Sequence, residues 1–492
     1  MSADCMDAPG NPGSPLARRR SGVLLHLTSL PGSQGCGTLG EAACRFVDFL
    51  AESGFGVWQM LPLGPTHDDG SPYLCLSAHA GNPRLIDLQA LVQHGWLDSD
   101  LTSTESPLLR AWLRFKATAS PTEQTEFEQF RNSAAGWLPD YALFMALRSH
   151  FNDHSWVHWP TPLRQRDPAA LKQARHHHAD AIEAICFEQF LFDSQWRQLH
   201  RHSRERGVAL FGDIPIFVDH NSADVWAHQR QFDLDADGNP RVVAGVPPDY
   251  FSATGQRWGN PLFRWEEMEA DGFSWWQGRV ATQMRYFDLL RIDHFRGFEA
   301  CWEIPADEPT AMVGRWAPAR GEALFQSLIE RHGTLPWVAE DLGTITPEVE
   351  RLMARFDFPG MKILQFAFDG GADNPYLPHN HRQQSVVYTG THDNDTSLGW
   401  YQGLTPTLQE RVDEYLGRPG EAMPWPLLRA ALASVARLAI IPMQDLLGLD
   451  SAHRMNQPGT VEGNWRWRFA WSDLPADLSE RLRRLNQLYG RG

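Results

Sequence analysis

Eight short apolar runs, separated by segments that favour helix, set the tightest limit on how this 492-residue chain can fold. They are VLLHLT (23–28), VWQMLP (57–62), VALFGDIPIF (208–217), LLRID (289–293), WVAED (337–341), MKILQFAF (361–368), SVVYTGT (385–391) and RLAIIPMQ (437–444). Each is short and nearly continuous in apolar residues, as a strand buried on both faces requires. The first two flank the helix-like EAACRFVDFLAESG and so form a βαβ unit. Eight such strands close a (β/α)8 barrel. A doubly wound open sheet is the alternative, but no glycine-rich dinucleotide fingerprint follows any of the runs.

The expected organisation is a disordered, Pro/Gly/Ser-rich tail over 1–20 and an α/β barrel over 21–492. Two insertions interrupt it. Residues 85–205 carry amphipathic patterns such as IEAICFEQFLFDSQWRQL and read as mostly helical. Residues 220–285 hold a loop region whose stretch 232–266 mixes Gly, Pro and Asn with Tyr250, Phe251, Trp258 and Trp265. A long loop rich in aromatics reads as a lid over a site.

Three of the runs end in an acid: Asp293, Glu340 and, at the end of the seventh, Asp393. A barrel gathers the C-terminal ends of its strands around one site. Three carboxylates there suit chemistry at a glycosidic carbon, which needs a nucleophile, a proton shuttle and a stabiliser of positive charge. Residues two apart on a strand face the same way, so Arg291 and Asp293 enter one space and the guanidinium favours the ionised carboxylate. The apolar wall Trp337–Val338–Ala339 before Glu340 raises a carboxyl pKa by desolvation, as a general acid requires. Asp213, inside the third run, needs a partner if buried, and Arg291 is the natural one. A structural ion pair is the plainer alternative for Arg291–Asp293. The adjacent His392 and Asp393, with Asp293 and His294, would also suit a metal. Such a site wants further histidines, however, and His176–His178 read as a solvated helix face, so no metal is expected.

The net charge of −16 argues against nucleic acid and anionic membrane as partners and is compatible with a neutral substrate. Twenty Trp offer sugar platforms, although most read as packing. Six scattered cysteines without a CxxC pair point to a reducing, cytoplasmic setting. No apolar run reaches the 18 residues or so of a membrane span.

The strings RIDHFRG, AEDLG and TGTHDND, with GVPPDYFSATGQRWGNP, SPYLCLSAHAGNP and MNQPGTVEGNWRWR, closely resemble the 4-α-glucanotransferases of glycoside hydrolase family 77, the amylomaltases, from about residue 21 to the C-terminus. The resemblance implies a (β/α)8 barrel without a C-terminal β-domain, acting on maltooligosaccharides and α-1,4-glucan by a retaining mechanism. It implies Asp293 as nucleophile, Glu340 as acid/base and Asp393 as stabiliser of the transition state. Asp213, Arg291, His294 and His392 would hold the sugar at the cleavage point; Asp249, Gln256 and Trp258 would belong to a covering loop. Ser71 and Tyr73 match a donor-side wall, and Asn464 falls in the GNW string. No cofactor is implied, because exchanging one α-1,4 bond for another is nearly isoenergetic. Oligomeric state stays open. The chain departs from the family pattern at Leu74, where an amide is usual, and at His79, where Phe is usual. A hydrolase on the same barrel and a non-catalytic glucan binder are the rival readings.

Overall fold

Along each central strand, alternate residues face two different cores, and that alternation builds the molecule. The computed structural model describes residues 15–32, 35–101, 104–248, 252–418, 420–460 and 462–492. Among them run β1 (Arg20–Leu24), β2 (Val57–Gln59), β3 (Ala209–Pro215), β4 (Val242–Val246), β5 (Gln256–Pro261), β6 (Leu289–Asp293), β7 (Ala300–Pro305), β8 (Arg315–Pro318), β9 (Trp337–Ala339), β10 (Gly360–Ile363), β11 (Ser385–Tyr388) and β12 (Leu438–Pro442). Eight of these form one parallel sheet in the order β10-β11-β12-β1-β2-β3-β6-β9. Its two ends meet where the Ala339 amide donates to the Pro359 carbonyl at 2.9 Å, nearly closing a (β/α)8 barrel.

Inside the barrel, Val57, Phe211, Leu289, Val338, Val386 and Leu438 form one fully buried cluster. Their strand neighbours Trp58, Leu210, Leu290, Trp337, Val387 and Ala439 face outward and join the larger core shared with the helices. At Gly22 a Cβ would lie 2.6 Å from the Val57 carbonyl and 2.8 Å from Ile440 Cδ1, so only glycine lets β1 approach its neighbours.

All eight expected strands are present, but most are shorter than their apolar runs, and the first lies earlier, at 20–24 rather than 23–28. Apolar letters report burial, which continues past the last ladder bond into the loops at the barrel mouth. Of the expected 1–20 tail, residues 1–14 lie outside the described residues. Residues 15–20 are fastened to the barrel: Leu16 packs under its interior, Arg19 donates to the Leu432 and Ser434 carbonyls at 3.1 and 2.9 Å, and Arg20 opens β1.

Between β2 and β3 the chain forms helices, ending in the 27-residue helix Ala179–Glu205. The region read as a loop, 220–285, contains β4 and β5 instead, and with β7 and β8 from beyond it they make an antiparallel sheet of four strands in the order β5-β4-β7-β8. Its edge strands contain Gly259, Pro261 and Pro318, residues that normally argue against a strand but are tolerated at an edge.

Candidate active site

The barrel strands carry apolar side chains low in the interior and charged ones at their C-terminal ends. Phe211 is followed on the same face by Asp213, Leu289 by Arg291 and Asp293, and Val338 by Glu340. The ladder sets Asp213 opposite Arg291 and Pro215 opposite Asp293. Arg291 then bridges two carboxylates, with Nη1 2.7 Å from Asp213 Oδ2 and Nη2 2.8 Å from Asp293 Oδ1. The expected pairing of Asp213 with Arg291 is present. Burial alone would lower the guanidinium pKa, but the two acids outweigh it and raise it well above its ordinary value.

Tyr73 donates its hydroxyl to the same Asp213 oxygen at 2.8 Å, and its ring stacks on His392 at 5.0 Å between centroids. Burial pushes the Asp213 carboxyl up to about 6 despite Arg291. Glu340 follows β9 and keeps that strand's register through its amide, 3.0 Å from the Ile292 carbonyl. Its Oε2 accepts the His294 amide at 2.8 Å and its Oε1 the Leu342 amide at 2.9 Å. His294 achieves this in the left-handed region (φ 52°), a conformation costing a non-glycine residue about 1–2 kcal/mol. Burial raises the Glu340 carboxyl to about 8; Arg291 opposes the rise and the negative charge of Asp293 adds to it. Burial also lowers the His294 imidazole to about 4, so it is neutral.

Asp393 differs from the others. Half of its side chain (50%) faces the open cleft, and its Oδ1 accepts from Asn456 Nδ2 at 2.6 Å while Oδ2 lies 3.4 Å from His392 Nε2. Its partial burial would raise the pKa, but His392 and Asn456 outweigh this and hold the carboxyl well below the usual range.

Asp213 is fully buried behind Arg291, and the other groups line one cleft of about 760 Å³, together with Ser71, Leu74, Gln256, Trp258 and Asn464. Trp258 stands edge-on to His294 at 4.7 Å, and its indole N–H reaches Gln256 Oε1 at 3.1 Å. Asn464 lines the wall, but its amide braces its own loop, donating to the Thr460 carbonyl and accepting from the Gln457 amide, both at 2.9 Å. Asp249 lies outside the described residues, as do Tyr250 and Phe251. The two departures from the family pattern go separate ways: Leu74 faces the cleft, whereas buried His79 stacks on Trp137 and bonds Thr282 at 2.9 Å. Sequence reasoning missed Asn456. It sits in the quoted MNQPGTVEGNWRWR string, yet nothing in the letters marks it above the other polar residues there. No three His, Cys, Asp or Glu side chains among the described residues are placed to hold a metal.

The family model described as 4-alpha-glucanotransferase matches residues 25–473. A 4-alpha-glucanotransferase of Thermus thermophilus is 50% identical over 487 residues, covering 94% of this chain and 97% of that one. One of Synechocystis is 47% identical, covering 97% and 99%. Among solved structures, an amylomaltase from Streptococcus agalactiae in complex with acarbose superposes with a TM-score of 0.92 at 37% identity, covering 96% of this chain and all of that one.

Proposed function

The chain belongs to the 4-alpha-glucanotransferase family, and from that premise we propose that its cleft moves segments of α-1,4-glucan or maltooligosaccharide to the 4-hydroxyl of another glucan or of glucose, with retention and through a covalent glucosyl-enzyme. The observation that carries this reading is the placing of Asp293, ion-paired to Arg291, and of Glu340, whose carboxyl burial pushes up to about 8, in one cleft. Asp293 attacks the anomeric carbon while Glu340 protonates the departing O4. The glucosyl-enzyme is then opened by an acceptor hydroxyl, whose proton returns to Glu340. Asp393, kept ionised, faces the sugar as positive charge develops. Asp213, Tyr73, Arg291 and His392 form one hydrogen-bonded wall that orients the sugar at the cleavage point.

Trp258, Gln256, Ser71 and Asn464 complete the cleft, and Asp249 belongs to the same covering segment in sequence. Trp258 and its neighbours exclude water, which favours a sugar hydroxyl as acceptor. Unpaired Cys36, Cys44, Cys75, Cys186 and Cys301 support a cytoplasmic setting, which cell fractionation tests.

The deciding experiment is incubation with maltotriose alone, with products followed by chromatography. Glucose together with a ladder of longer maltooligosaccharides is expected. Shorter sugars only would mean that water is the acceptor and would sink the transferase reading. Proton NMR of the newly formed 1→4 linkages tests retention: β-1,4 bonds in the longer products exclude the glucosyl-enzyme.

A further inference from the structure

One aromatic surface of the cleft has no part in the machinery above. Trp316 lies on β8, the outer strand of the four-stranded sheet, directly across the ladder from Trp302. The Trp302 ring meets it at 5.3 Å and 68°, and the Arg296 guanidinium sits 3.6 Å from its ring centroid. Arg296 is buried and tied to the Thr344 carbonyl at 3.0 Å. Trp302 is fixed in turn by its indole N–H, 2.9 Å from the Ala311 carbonyl. The Trp316 indole is therefore held from two directions, yet it remains 36% exposed and lines the cleft.

A large indole ring, pre-positioned and left open beside a sugar cleft, matches the apolar C–H face of a pyranose. Because the ring is already ordered, binding loses little side-chain freedom. Its place in the cleft follows from its brace. Thr344 lies four residues beyond Glu340 on the loop that leaves β9, and Arg296 three beyond Asp293 on the loop that leaves β6. The proton donor faces the departing sugar, so these loops border the leaving and acceptor side.

We propose that Trp316, braced by Arg296 and Trp302, forms an outer acceptor-side subsite on which a glucosyl unit stacks, beyond the units that flank the cleaved bond. It sets a preference for longer glucans, and it rests on the glucanotransferase reading of the cleft.

The test compares wild type, Trp316→Ala and Trp316→Leu with maltotriose and with maltoheptaose as sole substrates. An aromatic contact of this kind is worth up to about a tenfold factor in binding. The ratio of kcat/KM on maltoheptaose to that on maltotriose is expected to fall by roughly that factor in Trp316→Ala, carried by KM. Trp316→Leu keeps apolar packing without a planar face, and the same fall is expected. A wild-type ratio in the leucine variant overturns the proposal, even where the alanine variant folds poorly. Equal losses on both substrates also overturn it, because they would mark Trp316 as a packing residue of the lid. Should wild type disproportionate neither sugar, it is the reading of the cleft that falls.

Discussion

The lower and upper halves of the barrel interior are built on the same strands and obey opposite rules. On β6, Leu289 belongs to the closed apolar cluster, while Arg291 and Asp293 on the same face hold charge at the mouth. On β3 the same change runs from Phe211 to Asp213, and after β9 from Val338 to Glu340. Below, side chains fill one another's gaps and contribute burial. Above, each carboxylate depends on specific partners, and Glu340 and Asp213 are held with raised pKa values that a stability-first core would not contain. Stability and chemistry are thus divided along the barrel axis, two to four residues apart, rather than between strands.

That division can be broken by crossing readouts. Asp293→Asn is nearly isosteric, and Arg291 keeps Asp213 as a partner. Turnover on maltotriose should fall by about four orders of magnitude or more, with little change in melting temperature. A variant retaining more than about one part in a hundred of the activity would deny Asp293 its nucleophilic role. Leu289→Ala is the converse. It should cost about 2–5 kcal/mol in urea unfolding and leave kcat nearly unchanged below the melting transition. A large loss of kcat with intact stability would show that the two halves are coupled.

Smaller effects sharpen the picture. Asn456→Ala removes a hydrogen bond to the ionised Asp393, so the carboxyl pKa rises. The titration of the Asp393 carboxylate, followed by NMR, should move to higher pH, and kcat/KM at neutral pH should fall by about tenfold. An unmoved titration would mean that His392 alone keeps Asp393 ionised. On the proposed mechanism, rates should decline on the alkaline side as pH passes about 8, where Glu340 loses its proton. The same group affects folding. Its folded pKa lies above the unfolded value of 4.5, so its contribution to stability is complete below 4.5 and is lost as pH climbs to about 8. Melting curves of Glu340→Gln should show a shallower decline over that window; parallel curves would refute the raised value.

Much of the barrel was legible because its strands are buried on both faces, which leaves continuous apolar runs that few other folds need. The three acids were legible for a related reason: a charge at the end of such a run is anomalous unless the strand opens onto a site. The four-stranded sheet was not legible. β4 and β5 are short and contain Gly245, Gly259 and Pro261; β5 has only β4 as a partner, and β4 in turn depends on β7, far along the chain, with Gly245 opposite Trp302. Intrinsic preference carries little weight against such tertiary pairing. Asn456 was hidden for the same reason, since its partner Asp393 lies 63 residues away.

By itself, the sequence determined that eight apolar strands alternate with helices and that particular acids stand at their ends, because burial and period-two geometry write those facts into local letter patterns. The tertiary structure alone decided which side chains meet across the mouth: the Arg291 bridge, the amides aimed at Glu340, and the aromatic wall carried by the second sheet. Hydrogen bonds and desolvation act over a few ångströms between residues distant in the chain, and no local pattern encodes that distance.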